Sequence, residues 1–245
     1  MSEKFFLLLL SLICLFSFFG FGIQIPPAHA SEGSVYDFSW LDPDKEVYVL
    51  QNRKFRKKGN FHLNAGYGVT TSGAFVGARS VQGRAGYFFK EEWGIEGIYA
   101  KNNGSENEAA QSVRNVGGAG STPFRRIVDH YYGAFVLWAP FYGKLNTFNK
   151  ILYFDWLIGL GLGKMEEANN KDSVRKGYTV PDVKESHNTY MWETGFKFYY
   201  NEYFHIRLDL TGQHYKATRA RYINTSDSTG WYSNYDVTMS LGLNF

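Results

Sequence analysis

The stretch "YDVTMSLGLNF", residues Tyr235–Phe245, alternates between two kinds of side chain at every position. Tyr, Val, Met, Leu, Leu and Phe occupy its odd-numbered positions, whereas Asp, Thr, Ser, Gly and Asn occupy the even-numbered ones. Alternation with a period of two predicts a β-strand whose faces meet different environments. The polar face would meet water in a soluble sheet, and it would equally fit the filled lumen of a membrane barrel.

Seven more alternating segments precede this one, and each is close to the ~9–11 residues that a tilted transmembrane strand needs. They cover residues 61–70, 81–89, 94–100, 127–139, 151–163, 190–199 and 204–215. The parity of 127–139 stays open because both of its faces carry aromatic residues. The register of the first hairpin also stays open, and a slip of one residue would exchange lumen and lipid faces.

The connections between the segments also alternate in character. "KEEW" (90–93) and "NEY" (201–203) predict tight turns, and "PFYGKLNTFNK" (140–150) predicts a moderate one. Long polar stretches at 101–126, 164–188 and 216–230 predict loops on the opposite side. Short periplasmic turns and long external loops, with aromatic residues near the segment ends, are typical of outer-membrane barrels. We therefore predict an all-β fold, an eight-stranded antiparallel transmembrane β-barrel over 60–245.

The N-terminus has the layout of a secretory signal peptide. Lys4 precedes an apolar run over 5–25, and two prolines and the A-x-A motif Ala28–Ala30 follow it. This order predicts cleavage after Ala30, although the length of the run leaves an uncleaved membrane anchor as the alternative. The only cysteine, Cys14, lies in this segment, so the mature chain has no disulfide or thiol chemistry. Residues 31–59 would form a periplasmic N-terminal segment.

The composition fits an exported barrel. Mean hydropathy is −0.33 although 18% of the residues are aromatic, and no 18-residue apolar run follows residue 30. A polar average over many alternating segments is typical of a transmembrane barrel, because lumen residues dilute the lipid-facing ones. The net charge of +3 does not favour nucleic acid as a partner. The length of the mature chain predicts one domain.

Two resemblances to known proteins add to this interpretation. The ending "SLGLNF", with Leu241, Leu243 and Phe245, resembles the C-terminal insertion signal of bacterial outer-membrane barrels. It implies recognition by the barrel-assembly machinery and a location in the outer membrane of a Gram-negative cell. The strand plan resembles the small OmpA-like barrels. Residues 46–68 and 139–163 resemble an outer-membrane β-barrel family found mainly in myxobacteria and predatory bacteria. The resemblance leaves open a homo-oligomer that encloses lipid.

Charged residues on the predicted inner faces form the main candidate site. They are Arg84, Glu96, Asp155, Glu193, Lys197, Arg207, Asp209 and Asp236. The interior of an eight-stranded barrel is just wide enough for side chains, and buried charges need partners. The mixed signs therefore predict a network of ion pairs that plugs and rigidifies the barrel. A narrow ion path is the alternative.

A basic run precedes the first strand, on the predicted periplasmic side. It contains Arg53, Lys54, Arg56, Lys57 and Lys58. Such a run could bind anionic lipid headgroups, at about 1 kcal/mol per charge, or form a solvated linker. Outer-membrane lipids are thus predicted partners.

The sequence does not indicate catalysis. No Ser–His–acid set stands out, the histidines lack the spacing of metal ligands, and "GLGLGK" (159–164) lacks the hydroxyl residue of a phosphate loop. Two acid–base pairs, Glu193 with Lys197 and His205 with Asp209, are weak candidates. We predict no enzyme, no metal and no cofactor, and a structural or interaction role in membrane integrity or surface display. Porin-like transport is the alternative, and a lipid-modifying enzyme ranks third.

Overall fold

A computed structural model of the chain describes residues 53–71, 73, 75–115, 123–147, 150–219 and 228–245. The predicted signal peptide, 1–30, lies outside the described residues. The predicted periplasmic segment is described only from Arg53 onward.

Eight antiparallel strands form a single closed sheet. Each strand pairs with the next along the chain, and the first pairs with the last. The strands are β1 (Phe61–Thr71), β2 (Val76–Phe88), β3 (Trp93–Glu106), β4 (Arg126–Thr147), β5 (Lys150–Asn169), β6 (Val183–Tyr199), β7 (Phe204–Arg219) and β8 (Ser228–Asn244). The predicted fold class, an eight-stranded antiparallel barrel, is confirmed.

The barrel closes between β1 and β8. Their register runs from His62 opposite Asn244 to Thr71 opposite Tyr235. Beyond the last residue of β8, the Phe245 amide donates to the Phe61 carbonyl at 2.9 Å, and the Phe61 amide donates back at 3.0 Å. Closure leaves no free sheet edge at this seam, so the backbone polar groups satisfy one another, as a lipid environment requires.

The distribution of polarity is the reverse of that in a soluble protein. Leu160, Leu162 and Leu241 are 66–68% exposed on the outer surface, whereas Asp155 and Asp236 are fully buried in the lumen. An apolar outer face with a polar interior is the pattern of a barrel surrounded by lipid.

Strand β4 has a definite parity that its sequence left open. Tyr131, Phe135 and Leu137 point into the lumen, and Tyr132, Ala134 and Val136 point outward. Register shifts between Val128 and His130 and between Trp138 and Phe141 interrupt the alternation. Aromatic residues occur at both odd and even positions because Tyr131 and Phe135 fill the lumen, whereas Tyr132 and Trp138 lie on the outer surface.

The strands extend well beyond the predicted segments, so several predicted connections are wrong. The predicted turn 140–150 is an extended hairpin of β4 and β5, paired as far as Thr147 opposite Lys150. The predicted loops 101–126, 164–188 and 216–230 begin and end with strand residues. Polar side chains do not end a strand, because ladder hydrogen bonds continue wherever a partner strand continues. β1 and β2 are joined at the same end by residues 72–75 alone, so not every connection at that end is long.

Among the described residues, two helices lie in the longer connections. They are α1 (Glu108–Asn115), after β3, and α2 (Lys171–Lys176), between β5 and β6. Neither helix, in the part of the chain that the structure describes, is long and apolar enough to cross a membrane.

Candidate functional site: a filled lumen

Two arginines and three carboxylates meet in the middle of the lumen, and we name them the central cluster. They are Arg84 on β2, Glu96 on β3, Glu193 on β6, and Arg207 and Asp209 on β7. Each is less than 5% exposed. Alternation on four strands directs these side chains inward, and closure of the barrel brings them together.

Arg207 is the hub of the central cluster. Its Nη1 donates to Glu96 Oε2 at 2.5 Å, and its Nη2 donates to Glu193 Oε1 at 3.1 Å. Its Nε donates to Asp209 Oδ1 at 2.6 Å. The planar guanidinium, with five donors in a fixed fork, suits three simultaneous acceptors better than a lysine would.

Arg84 binds the same two glutamates from the opposite wall. Its Nη1 donates to Glu96 Oε1 at 3.0 Å and also to Glu193 Oε2. Its Nη2 donates to the Thr211 hydroxyl at 2.8 Å. His62 adds a further contact, with Nε2 2.7 Å from Glu96 Oε2. Both glutamates are thus held between two guanidinium groups.

A second layer surrounds Asp236 and contains no cation. The Tyr131 hydroxyl donates to its Oδ2, as do Gln82 Nε2 at 3.2 Å and Gln213 Nε2 at 3.3 Å. Asn234 Nδ2 donates to Oδ1 at 3.1 Å. Neutral donors therefore hold this carboxylate, and Gln82, whose Oε1 accepts from Arg84 Nη2 at 3.1 Å, links the layer to the central cluster. Tyr131 escaped prediction because the parity of its strand was open.

A third layer closes the lumen at the end with the tight turns. Asp155 on β5 lies 2.6 Å from Lys57 Nζ and accepts a hydrogen bond of 2.5 Å from the Tyr199 hydroxyl. Phe55 stacks on Tyr199, with 4.8 Å between ring centroids. Burial lowers the pKa of the Lys57 ammonium, and the Asp155 carboxylate opposes this shift. Residues just before β1 thus close this end of the barrel.

Lys57 is therefore a correction to the predicted lipid-headgroup set. Its side chain is 2% exposed and paired with Asp155, so it lies inside the end of the barrel and not on the exposed surface. Alternation within "FRK" turns Phe55 and Lys57 inward and leaves Arg56 exposed.

The other cations of the basic run lie outside the lumen. Arg53 pairs with Glu91 at 3.5 Å, and Lys54 lies 5.5 Å from the ring centroid of Tyr153. Glu91 also accepts the backbone amides of Lys57 at 3.1 Å and Lys58 at 3.3 Å. Lys54, Arg56 and Lys58 keep exposed side chains. The run is fastened to the barrel and is not a free linker.

Lys197 makes no ion pair among the described residues, although Asp155 lies directly opposite it on β5. Its Nζ donates to Asn244 Oδ1 at 2.8 Å and lies 5.2 Å from the ring centroid of Tyr199. Among the residues that the structure describes, no acidic oxygen lies within 4.0 Å of this ammonium group. Sequence patterning identified Lys197 as inward-facing but could not show that Asp155, its neighbour on β5, would pair with Lys57 instead.

A further cluster near the opposite end was not predicted. Glu167 lies 3.0 Å from Arg126 Nε and accepts from the Tyr215 hydroxyl at 3.1 Å. Continuing the alternation of β5 past Lys164 would have identified Glu167 as an inward-facing residue. A carboxylate oxygen of Glu167, one of Glu185 and a ring nitrogen of His187 lie within 4.8 Å of one another. Arg126 and Lys171 already neutralise these two carboxylates.

The weak acid–base candidates do not come together. Glu193 contacts the two arginines, whereas Lys197 contacts Asn244. His205 Nε2 lies 2.6 Å from Asn64 Oδ1, and Asp209 is bound to Arg207. The glycines of "GLGLGK" lie within β5, where a Cβ on Gly159 would come within 2.6 Å of Glu193 Cγ. Glycine there makes room for the central cluster.

Comparison with known proteins finds similarity to solved structures but none to a family model or a curated protein. No family model matches the chain, and no curated protein matches it. The N-terminal β-barrel domain of Pseudomonas aeruginosa OprF is 12% identical over 77% of this chain and 98% of that one, with a TM-score of 0.46. The Pseudomonas aeruginosa outer membrane protein OprG is 10% identical over 79% and 99%, with a TM-score of 0.42. Ail, the attachment invasion locus protein of Yersinia pestis, is 15% identical over 77% and 99%, with a TM-score of 0.39.

The predicted likeness to small OmpA-like barrels is confirmed at the level of the fold, through the pairing of all eight strands. Kinship with the myxobacterial family stays a prediction.

Proposed function

We propose that this chain is a plugged outer-membrane barrel with a structural or interaction role, in which a rigid body displays its outer connections at the cell surface. The observation that carries the proposal is the central cluster, in which Arg84 and Arg207 hold Glu96, Glu193 and Asp209 across the lumen. A lumen filled in this way stiffens the barrel. It also obstructs the lumen to solutes.

The outer surface supports a location in the outer membrane. Leucines and valines form its middle, and paired aromatic rings such as Trp93 with Trp138 and Tyr190 with Trp231 lie on it. Aromatic residues favour the membrane–water interface. We propose outer-membrane lipids and the barrel-assembly machinery as partners, and we propose that residues 1–30 direct export and are then removed.

The connections opposite the tight turns are the proposed surface for interaction. The extended strands β3 to β8 carry them away from the lipid-facing band. Arg125, which lies beside β4, binds Glu106 at 2.5 Å and Asp182 at 2.8 Å. These ion pairs join two of the connections, so the outer end is itself braced for display.

Removal of the protein from its native bacterium tests this role. We expect higher uptake of a large antibiotic that intact outer membranes exclude, or loss of a surface-binding phenotype. Reintroduction of the wild-type gene should restore the phenotype. A variant in which a short turn replaces residues 107–125 shows whether the phenotype depends on the barrel or on this outer connection. Normal exclusion and normal surface binding in the deletion strain would contradict the proposal.

Porin-like transport is the second candidate, and planar-bilayer conductance separates it from the first. We expect no steady single-channel current from the purified wild-type barrel, because open aqueous channels need roughly 16 strands. A current that disappears when Arg207 or Asp209 is neutralised would instead favour transport. The native mass of gently extracted protein, with bound lipid counted, tests whether a homo-oligomer carries out either role.

A further inference from the structure

A partly enclosed pocket lies between the residues before β1 and the end of the barrel that they cover. Its volume is about 260 Å³, well above the roughly 30 Å³ share of one water molecule in the liquid. Its walls include the aromatic rings of Phe55, Phe88 and Tyr199. We name it the mouth pocket.

The charges around the mouth pocket are unbalanced. Four cationic side chains line it, and Glu202 is the only carboxylate among its described lining residues. The cations are Lys54, Arg56, Lys57 and Lys197. Of the nearby lumen carboxylates, Asp155 neutralises Lys57, and Glu96 is held by both central arginines. Lys54, Arg56 and Lys197 therefore still outnumber Glu202.

Lys197 is the decisive residue. It is 2% exposed, and one hydrogen bond, to Asn244, uses one of the three donors of its ammonium group. Asp155 lies opposite Lys197 on β5 but is paired with Lys57, and a buried charge without an ion pair of its own is costly. Lys57 lies close by, because both ammonium groups lie within 6.0 Å of the ring centroid of Phe88. His62 also lines the pocket, and its Nδ1 is buried without a hydrogen-bond partner in the structure.

We propose that the mouth pocket binds a small oxyanion of the phosphate class. The anion would accept from Lys197 and from the spare donors of Lys57, and it would neutralise the excess positive charge. The aromatic walls keep the local dielectric constant low, which strengthens each of these charge-assisted hydrogen bonds. The oxyanion is either free in solution or the headgroup of an anionic lipid.

Titration of inorganic phosphate into the full folded chain tests the proposal. The protein is held in a glycoside detergent, which contains no phosphate, and the heat of binding is recorded. We expect saturable binding to one site, weakened at least tenfold by Lys197→Met. Lys58→Met is the matched control, because Lys58 belongs to the same basic run but is exposed and does not line the pocket. Absence of saturable binding, or equal affinity in Lys197→Met, would overturn the site.

A second measurement covers the case in which Lys197→Met does not fold. The side-chain NMR signals of the lysines are followed in the wild-type barrel during the same titration. Signals of Lys197 and Lys57 should shift and saturate together, and that of Lys58 should stay constant. Uniform small shifts in all three would mean non-specific screening and would refute the proposal.

Short-chain phosphatidylglycerol distinguishes the two sources of the oxyanion. If it displaces phosphate at lower concentration than phosphate itself requires, the site is a headgroup site. If phosphate stays bound in the presence of the lipid, the site takes a free oxyanion. Both results support an oxyanion site.

Discussion

At the scale of single residues, the lumen is organised by a few multivalent donors. Arg207 serves three carboxylates, and Arg84 serves two. Such buried pairs contribute little net stability when complete, but removing one partner leaves an uncompensated charge. The arginines therefore specify which arrangement of the lumen is stable.

Replacement of Arg207 should have a large effect. In Arg207→Met, three carboxylates lose a donor inside the lumen, and we expect the free energy of unfolding to fall by about 3–5 kcal/mol. Urea unfolding of the barrel in lipid vesicles measures this. The control is Arg79→Met, in which an exposed arginine of β2 is removed. An equal loss of stability in both variants would contradict the role assigned to the central cluster.

Tyr131 offers a milder test, with a neighbouring tyrosine as its control. Tyr131→Phe removes one donor to Asp236 and leaves three neutral donors, so we expect a loss of about 1–3 kcal/mol. Tyr132→Phe changes an outward-facing hydroxyl on the same strand. Vesicle unfolding of the two variants should separate them, and matching stabilities would show that the Asp236 layer does not depend on Tyr131.

At the scale of elements, close packing between strands constrains the small residues that separate the charged ones. Gly195 on β6 lies directly opposite Asp209 on β7. A Cβ at Gly195 would collide with Asp209 Oδ1 and lie 2.8 Å from the Leu208 carbonyl oxygen. The strand pair thus needs glycine at this position so that Asp209 can turn toward Arg207.

Gly195→Ala should consequently destabilise the barrel by about 1–3 kcal/mol, the usual cost of overpacking a filled interior. Gly83→Ala is the matched control, because a Cβ at Gly83 meets no atom within 4 Å. The temperature midpoint of heat modification on gels measures the stability of both variants. Should Gly83→Ala lose as much as Gly195→Ala, strand propensity and not the Asp209 contact would explain the result.

At the scale of the whole molecule, closure depends on the backbone of Phe245, whereas the predicted insertion signal involves its side chain. Its backbone amide and carbonyl complete the seam with Phe61, whereas its side chain is 63% exposed. Closure therefore needs the backbone alone. The side chain is free for the recognition that the resemblance of the C-terminus implies.

Phe245→Ala separates these two contributions. We expect the purified variant to refold in detergent with wild-type stability, because the two backbone hydrogen bonds remain. In cells, the amount of heat-modifiable protein in the outer membrane should fall severalfold. Leu145→Ala, an exposed residue of the β4–β5 hairpin, is the control. Unchanged levels in cells would remove the insertion role of Phe245.

Much of this architecture could be read locally from the chain. The alternation around Leu241 and Leu243 is a property of neighbouring residues, and it predicted both the strand and the face that meets lipid. The same reasoning assigned Arg84, Glu96, Glu193 and Arg207 to the lumen. It failed at β4, where bulges break the period, and at the strand ends, where polar residues continue in the ladder.

The sequence by itself determined the closed barrel and its two faces, because a period of two is encoded by adjacent residues. Only the tertiary structure decided which charges meet. Arg84 and Glu193 are 109 positions apart, and their contact depends on the stagger of eight strands around the barrel. That stagger joins five charges in one cluster, gives Asp236 neutral partners, and brings Lys57 into the lumen beside Asp155. It also leaves Lys197 without an ion pair among the described residues, because Asp155, its neighbour on β5, pairs with Lys57 from outside the sheet.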